Sequence, residues 1–115
     1  MKENIIKEKS FAFAVEIVSL YKDLANNKKE YVMSRQLLKS GTSIGANIRE
    51  AEFAQSKADF INKISISLKE ANETDYWIDL LFATNFLTKT EFDAFKPKSQ
   101  EMLRLLVSIV KSSKE

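Results

Sequence analysis

QLLKSGTSIGANIRE, residues 36–50, has the apolar spacing of a helix, yet it contains both glycines of this 115-residue chain. Glycine inside a helix costs roughly 1 kcal/mol relative to alanine. A helix that keeps Gly41 and Gly45, with small residues around them, therefore indicates a close approach of another backbone. The segment predicts packing or assembly rather than chemistry.

The rest of the chain also has helical patterns. The whole chain contains two Gly and one Pro, and it has no alternating apolar runs bounded by turn residues. We predict four helices. The first runs from near Ser10, or from Asn4, to about Ala25, and the second from about Glu30 to Ala54. The third runs from about Lys57 or Ala58 to Phe86, with Ser56 as N-cap, and the fourth from after Thr88 or Thr90 to near Ser112, with a kink or break at Pro97. Short links between them predict an all-α, antiparallel up-and-down four-helix bundle with long second and third helices, forming a single domain over residues 1–115.

Several of these helices have apolar residues on two sides. In the first helix one stripe contains Phe13, Ile17, Leu20 and Leu24, and a second contains Phe11, Val15, Val18 and Ala25. The third and fourth helices repeat the pattern. A helix in a monomeric bundle normally buries one stripe, so the second stripes favour a homo-oligomer. The alternative is that they are scattered surface residues.

Two polar lines run along the second helix. The first has heptad spacing and predicts either a seam that another helix approaches closely or a solvated face; it consists of Gln36, Ser40, Ser43, Asn47 and Glu50. The second is a basic stripe that fits nucleic-acid phosphates, carboxylates on neighbouring helices, or simple solvation, which is the commoner fate of surface charge; it consists of Arg35, Lys39 and Arg49.

The third helix supplies carboxylates that could pair with this basic stripe. Glu70, Glu73 and Trp77 follow one another at helical spacing, so they lie on one side of the helix. Because the two carboxylates lie on an otherwise apolar stripe, we predict that they form interhelix or intersubunit ion pairs. A paired-carboxylate enzyme would fit Glu70 and Glu73, but di-iron bundles use Glu-x-x-His motifs and the chain has no histidine. The absence of cysteine also excludes thiol chemistry and disulfides. We predict no catalytic, cofactor-binding or metal-binding residue.

Charge and hydropathy limit the partners. The net charge of +2 does not indicate a strongly basic nucleic-acid binder. Residues 1–9 lack the apolar core of a signal peptide, and no apolar run approaches the ~20 residues of a membrane span. We therefore expect a cytoplasmic protein with no membrane partner.

Two segments together carry a resemblance to a known family. Residues 36–51, QLLKSGTSIGANIREA, and residues 67–77, SLKEANETDYW, resemble the small bacterial four-helix-bundle proteins encoded by intervening sequences of 23S ribosomal RNA genes. The resemblance spans nearly the whole chain. It implies an antiparallel bundle that assembles as a homopentamer.

This family is in turn similar to the accessory protein of diversity-generating retroelements, a basic pentamer that binds a reverse transcriptase and nucleic acid. The resemblance therefore implies RNA, DNA or a protein as partner, although the present chain is only weakly basic. The residues that match the family pattern are interpreted as assembly positions: Gln36, Ser40, Ser43, Asn47, Glu50, Glu70, Glu73 and Trp77.

Three functions remain open at this point. The leading hypothesis is a non-enzymatic, self-assembling module that binds RNA or other nucleic acid through Arg35, Lys39, Arg49, Lys57 and Lys63. The alternative is a protein-binding scaffold with no nucleic-acid role. An enzyme using Glu70 and Glu73 ranks last.

Overall fold

Four helices account for most of the chain. The computed structural model describes residues 2–115, with side chains from residue 4 onward, and Met1 lies outside the described residues. The helices are α1 Lys2–Asn26, α2 Met33–Ala51, α3 Lys57–Ala83 and α4 Lys89–Lys114. The 27 residues of α3 span about 40 Å, and the molecule measures 44 × 21 × 19 Å, so the helices run along its long axis. Each helix packs against the next and α1 also packs against α4, which confirms the predicted all-α bundle.

An apolar core runs along the centre of the bundle. The predicted inner stripe of α1 is buried, and it meets the buried side chains of Leu37, Ile44, Ile64, Ile78 and Leu106. Among the described residues, no buried side-chain polar atom lacks a hydrogen-bond partner. The buried polar side chains of the subunit therefore need no ligand or second subunit to complete their hydrogen bonds. None of the helices in this part of the chain is both long enough and apolar enough to cross a membrane.

The first helix begins earlier than predicted. Ser10 is not its N-cap, because α1 already begins at Lys2. Ser10 lies in the middle of the helix, where its hydroxyl donates to the Lys7 carbonyl at 3.1 Å and its side chain is 1% exposed. Its small size serves the contact with α2.

The second helix begins later than predicted because Glu30 caps it from outside. The chain turns at Lys29, which has a φ of 59°. The Glu30 carboxylate then accepts hydrogen bonds from the backbone amides of Val32, Met33 and Ser34 at 3.1, 3.1 and 2.6 Å. A carboxylate at this position accepts hydrogen bonds from amides that have no partner within the helix. Its negative charge also interacts favourably with the positive end of the helix dipole. With its end at Ala51 rather than Ala54, α2 has 19 residues and is shorter than predicted.

The third helix has the predicted beginning but an earlier end. Ser56 is its N-cap, as predicted, and accepts from the Asp59 amide at 3.0 Å. The helix ends at Ala83 rather than Phe86, because Asn85 adopts a φ of 69°. The Phe86 amide then donates to the Leu81 carbonyl at 2.8 Å, a bond typical of a Schellman C-cap.

The fourth helix begins with a capping box and continues past proline. Thr88 accepts from the Glu91 amide at 3.1 Å, and the Glu91 carboxylate accepts from the Thr88 amide at 2.8 Å. Pro97 lies inside α4, which runs on without a break to Lys114. Of the two outcomes predicted at Pro97, a kink or a division into two helices, the division does not occur, and the helix ends two residues beyond Ser112.

Both glycines of α2 face α1, which explains why this helix tolerates them. A Cβ atom at Gly41 would lie 2.8 Å from Ile17 Cγ2, and one at Gly45 would lie 3.3 Å from Ser10 Oγ. The glycines thus allow α1 and α2 to approach closely. The predicted close approach is confirmed, and it lies within one subunit.

Ion pairs join helix ends that are distant in sequence. Lys28 Nζ, in the turn after α1, lies 2.8 Å from Glu91 Oε1 at the start of α4 and donates to the Phe86 carbonyl at 2.6 Å. Burial pushes the pKa of Glu91 upwards, but the hydrogen bonds from Lys28 and Thr88 and the Lys28 charge outweigh it, so this pKa lies below its ordinary value.

A second network joins α3 to α4. Lys96 Nζ lies 2.8 Å from Asp75 Oδ2 and 2.9 Å from Asp79 Oδ1, and buried Ser99 donates to Asp75 at 3.0 Å. Burial disfavours the charged amine, but the two aspartates prevail and raise the pKa of Lys96. The network ties the first half of α4 to α3.

The glycine contacts generate a paired prediction. In Gly41→Ala the new methyl group meets the rigid branch of fully buried Ile17. Overpacking costs about 1–3 kcal/mol, and the higher helix propensity of alanine offsets about 1 kcal/mol of that. We expect the free energy of unfolding to fall, measured by urea unfolding at fixed protein concentration.

Gly45→Ala is the matched control. Its methyl group meets mainly the Ser10 hydroxyl, which can rotate away, so we expect stability to stay equal or rise by up to about 1 kcal/mol. A Gly41→Ala variant as stable as Gly45→Ala would contradict the close packing of Ile17 on Gly41.

The Lys28–Glu91 pair predicts a pH dependence. Because the pKa of Glu91 is lower in the folded protein, the unfolded chain takes up its proton first as the pH falls. The pair therefore stabilises the fold above the ordinary glutamate pKa of about 4.3, and this contribution disappears as the pH falls through the lower folded value. Lys28→Met should lower stability at neutral pH and weaken the acid dependence, followed by thermal unfolding at several pH values.

Lys29→Met is the control for this experiment. Lys29 Nζ donates to the Asn26 carbonyl, and the ion pair of Glu91 in the described residues is with Lys28. An equal change of the acid dependence in both variants would refute the assignment to the Lys28–Glu91 pair.

Candidate interaction surfaces on α2 and α3

The centre of the predicted polar seam lies inside the subunit. Ser40 is 1% exposed, and its hydroxyl oxygen lies 2.9 Å from that of Thr74 on α3, with a hydrogen bond between them. Close by, buried Ser67 of α3 donates to the Ile44 carbonyl of α2 at 2.8 Å. These hydroxyl groups hold α2 against α3, so Ser40 contributes to intrachain packing.

The other members of the seam lie nearer to solvent. Gln36 and Glu50 are exposed, whereas Ser43 and Asn47 are half-buried. Ser43 donates to the Lys39 carbonyl at 2.7 Å, and Asn47 donates to the Ser43 carbonyl at 2.9 Å. Because both side chains turn back onto their own helix, they form a low surface that another helix can approach.

The carboxylate stripe lies on α3, which contacts the polar seam of α2 through Thr74, at Ser40, and through Lys63, at Glu50. Glu70, Glu73 and Trp77 are half-buried. The Trp77 indole donates to Glu73 Oε1 at 3.2 Å, and its ring meets Tyr76 edge-on with 5.2 Å between centroids. Within the described part of the subunit, neither glutamate forms an ion pair with Arg35, Lys39 or Arg49.

The predicted cations differ in what surrounds them. Arg35, Lys39, Arg49 and Lys57 are exposed, and in the described residues they have no carboxylate partner. Lys63 is half-buried and lies 3.4 Å from Glu50 Oε1. Arg49 and Lys63 line one shallow depression at the C-terminal end of α2, whereas Lys39 lies about 15 Å from Arg49 along the helix axis.

The structure adds a cleft that the sequence did not indicate. It lies between α1 and α2, has a volume of about 350 Å³, and is lined by Phe11, Ala14, Ala46 and Arg49, among others. Phe11 is 61% exposed at this cleft, and Phe53, beyond the end of α2, is 81% exposed. The sequence had indicated Phe11, because this residue belongs to the second apolar stripe of α1. The sequence did not indicate Phe53, because the predicted second helix extended past this residue.

No arrangement for metal chemistry occurs in the described residues. No group of three or more acidic side chains there is placed to hold a metal ion. The residues with a shifted pKa, Glu91 and Lys96, belong to the interhelix networks rather than to these surfaces. The α2 and α3 surfaces therefore consist of charged groups, short polar side chains and exposed apolar area.

The protein is a small all-α four-helix bundle that exposes cations and aromatic side chains at its surface. The model of the 23S rRNA-intervening sequence protein family matches residues 2–108, and the chain belongs to this family. The chain is also similar to a protein of unknown function from Bacteroides thetaiotaomicron, whose crystal structure is described as a member of the S23 ribosomal protein family. The two are 59% identical over 96% of this chain and 99% of the other, with a TM-score of 0.94. No curated protein matches the chain.

The Ser40–Thr74 contact can be tested by removing one hydroxyl group. Ser40→Ala should lower the free energy of unfolding by about 1 kcal/mol, the usual net value of a hydrogen bond. Ser19→Ala, at an exposed position of α1, makes the same chemical change and gains the same helix propensity. If urea unfolding gave both variants the same stability, the interhelix role of Ser40 would be refuted.

Proposed function

We propose that this protein is a non-enzymatic binding module that assembles as a homopentamer and binds nucleic acid along α2. The observation that carries the nucleic-acid part is the charge of this helix. Its three cations, Arg35, Lys39 and Arg49, are exposed and have no carboxylate partner in the described residues.

The ion pairs within the described part of the subunit leave the cations of α2 without neutralising partners. Several other lysines are neutralised by pairs within the subunit: Lys7, Lys9, Lys28, Lys63, Lys89, Lys96 and Lys98. The one acidic residue of α2 before its C-cap, Glu50, pairs with Lys63. The helix face therefore stays positive although the chain carries only +2. Phosphate contacts by such side chains give sequence-independent binding.

Assembly would turn a modest basic stripe into a useful binding surface. Three cations on one subunit make few phosphate contacts, and a ring presents the same stripe once per subunit. When one strand reaches several subunits, the later contacts form at high effective concentration, and avidity rises. The exposed apolar side chains of α1, Phe11 at 61% and Val15 at 55%, support assembly because they require cover.

The test is a titration of a short fluorescent single-stranded RNA, followed by anisotropy between about 50 and 200 mM salt. We expect binding at low salt that weakens as salt increases. Arg35→Gln with Lys39→Gln should reduce the affinity, and the log–log salt slope should become shallower by about 0.7 for each phosphate that the protein no longer neutralises.

Arg104→Gln with Lys111→Gln is the matched control. It removes two exposed cations from α4, which have no ion pair in the described residues, and so changes the net charge equally. Absence of binding at low salt, or an equal reduction of affinity in the two double variants, would contradict the assignment to α2.

A second candidate function is a scaffold for another protein. It is favoured by Phe53, which is 81% exposed beyond the end of α2 and shares a depression with Arg49 and Lys63. Exposed aromatic side chains beside cations are common anchors at protein interfaces. This function predicts a partner whose affinity depends little on salt and falls in Phe53→Ala.

A further inference from the structure

The outward side of α1 carries a regular stripe. Phe11, Val15, Val18 and Lys22 are spaced by four, three and four residues, which places them within about 60° of one another around the helix. Phe11 and Val15 are more than half exposed, Val18 is half-buried and Lys22 is exposed. We call this set the α1 stripe. The described part of the subunit leaves Phe11 and Val15 largely uncovered.

A second outward stripe on α3 has the same spacing. Ile66, Glu70, Glu73 and Trp77 also follow one another by four, three and four residues and lie within about 60° of one another. All four are half-buried. We call this set the α3 stripe. On the neighbouring helix α2, the side chains of Ser43 and Asn47 bond back to their own helix.

The two stripes are complementary in length and in charge. Each spans about 16 Å of helix. The α1 stripe has a cation, Lys22, without an ion pair in the described residues, and the α3 stripe has two carboxylates, Glu70 and Glu73, in the same condition. Heptad spacing on both sides suits the interlocking of side chains between two helices.

We infer that the α1 stripe of one subunit packs against the α3 stripe, beside the short side chains of α2, of a second copy of this chain. The contact joins two different surfaces, so it is heterologous, and contacts of this kind close a ring when the rotation from one copy to the next divides a full turn. The inference rests on the assembly included in the proposed function and specifies the faces that meet. Arg35 and Lys39 lie outside both stripes and remain available for nucleic acid.

The experiment blocks each stripe separately and measures absolute mass by size-exclusion chromatography with light scattering. Val15→Lys blocks the α1 stripe, and Ile66→Lys blocks the α3 stripe, with Glu73→Lys as a second α3 variant in case Ile66→Lys does not fold. Far-UV circular dichroism checks that each variant is helical. Val32→Lys, at a position 74% exposed and outside both stripes, is the matched control.

We expect each blocked variant alone to be a monomer of about 13.2 kDa and the control to have the mass of the unmodified protein. An equimolar mixture of the α1 and α3 variants should form dimers and no larger species, because each pair retains one intact contact. An isologous contact would instead leave one of the two variants fully assembled and would overturn the inference.

Two failures can be told apart. If the unmodified protein is a monomer, both the proposed assembly and this contact are wrong. If the unmodified protein is an oligomer and the blocked variants keep its mass, only the assignment of the contact to these stripes is wrong.

Discussion

The close contact between Gly41 of α2 and Ile17 of α1 is the constraint on which the arrangement of the surfaces depends. With no Cβ at Gly41, the branched Ile17 side chain fits directly against the α2 backbone. This fixes the rotation of α1, because Phe13 and Ile17 must face the core. Phe11 and Val15 then point away from it, where they are exposed. One local packing requirement thus determines which apolar surface the subunit presents.

Most of the fold could be predicted from local chemistry. The glycines predicted a close approach, Ser56 a cap, and the apolar spacing four helices; all three are confirmed. The errors at helix ends have a common physical cause. Ser10 is a typical cap residue, but here its small size matters for packing against Gly45, and Glu30 resembles a helix residue but caps α2 through its side chain. Such roles depend on the neighbouring helix or on turn geometry.

The surfaces were less predictable than the core. The residues of the polar seam look alike in sequence, since all are polar and follow heptad spacing. In the structure α3 covers only some of them, so Ser40 is buried against Thr74 whereas Gln36 is exposed. The basic stripe was visible in sequence, whereas the pairing of Lys63 with Glu50 depends on how α2 and α3 meet. Of the cations that the sequence proposed for binding, Lys63 is therefore the one whose charge is paired within the described part of the subunit.

In the proposed assembly, the buried polar atoms of each subunit have partners within it, and other copies cover its exposed apolar faces. The absolute mass of the unmodified protein, measured by light scattering over a range of concentrations, tests this most directly. We expect five times 13.2 kDa, about 66 kDa, with little change on dilution. A mass of 13.2 kDa at all concentrations would contradict it and would make the exposed stripe of α1 a surface of a monomer.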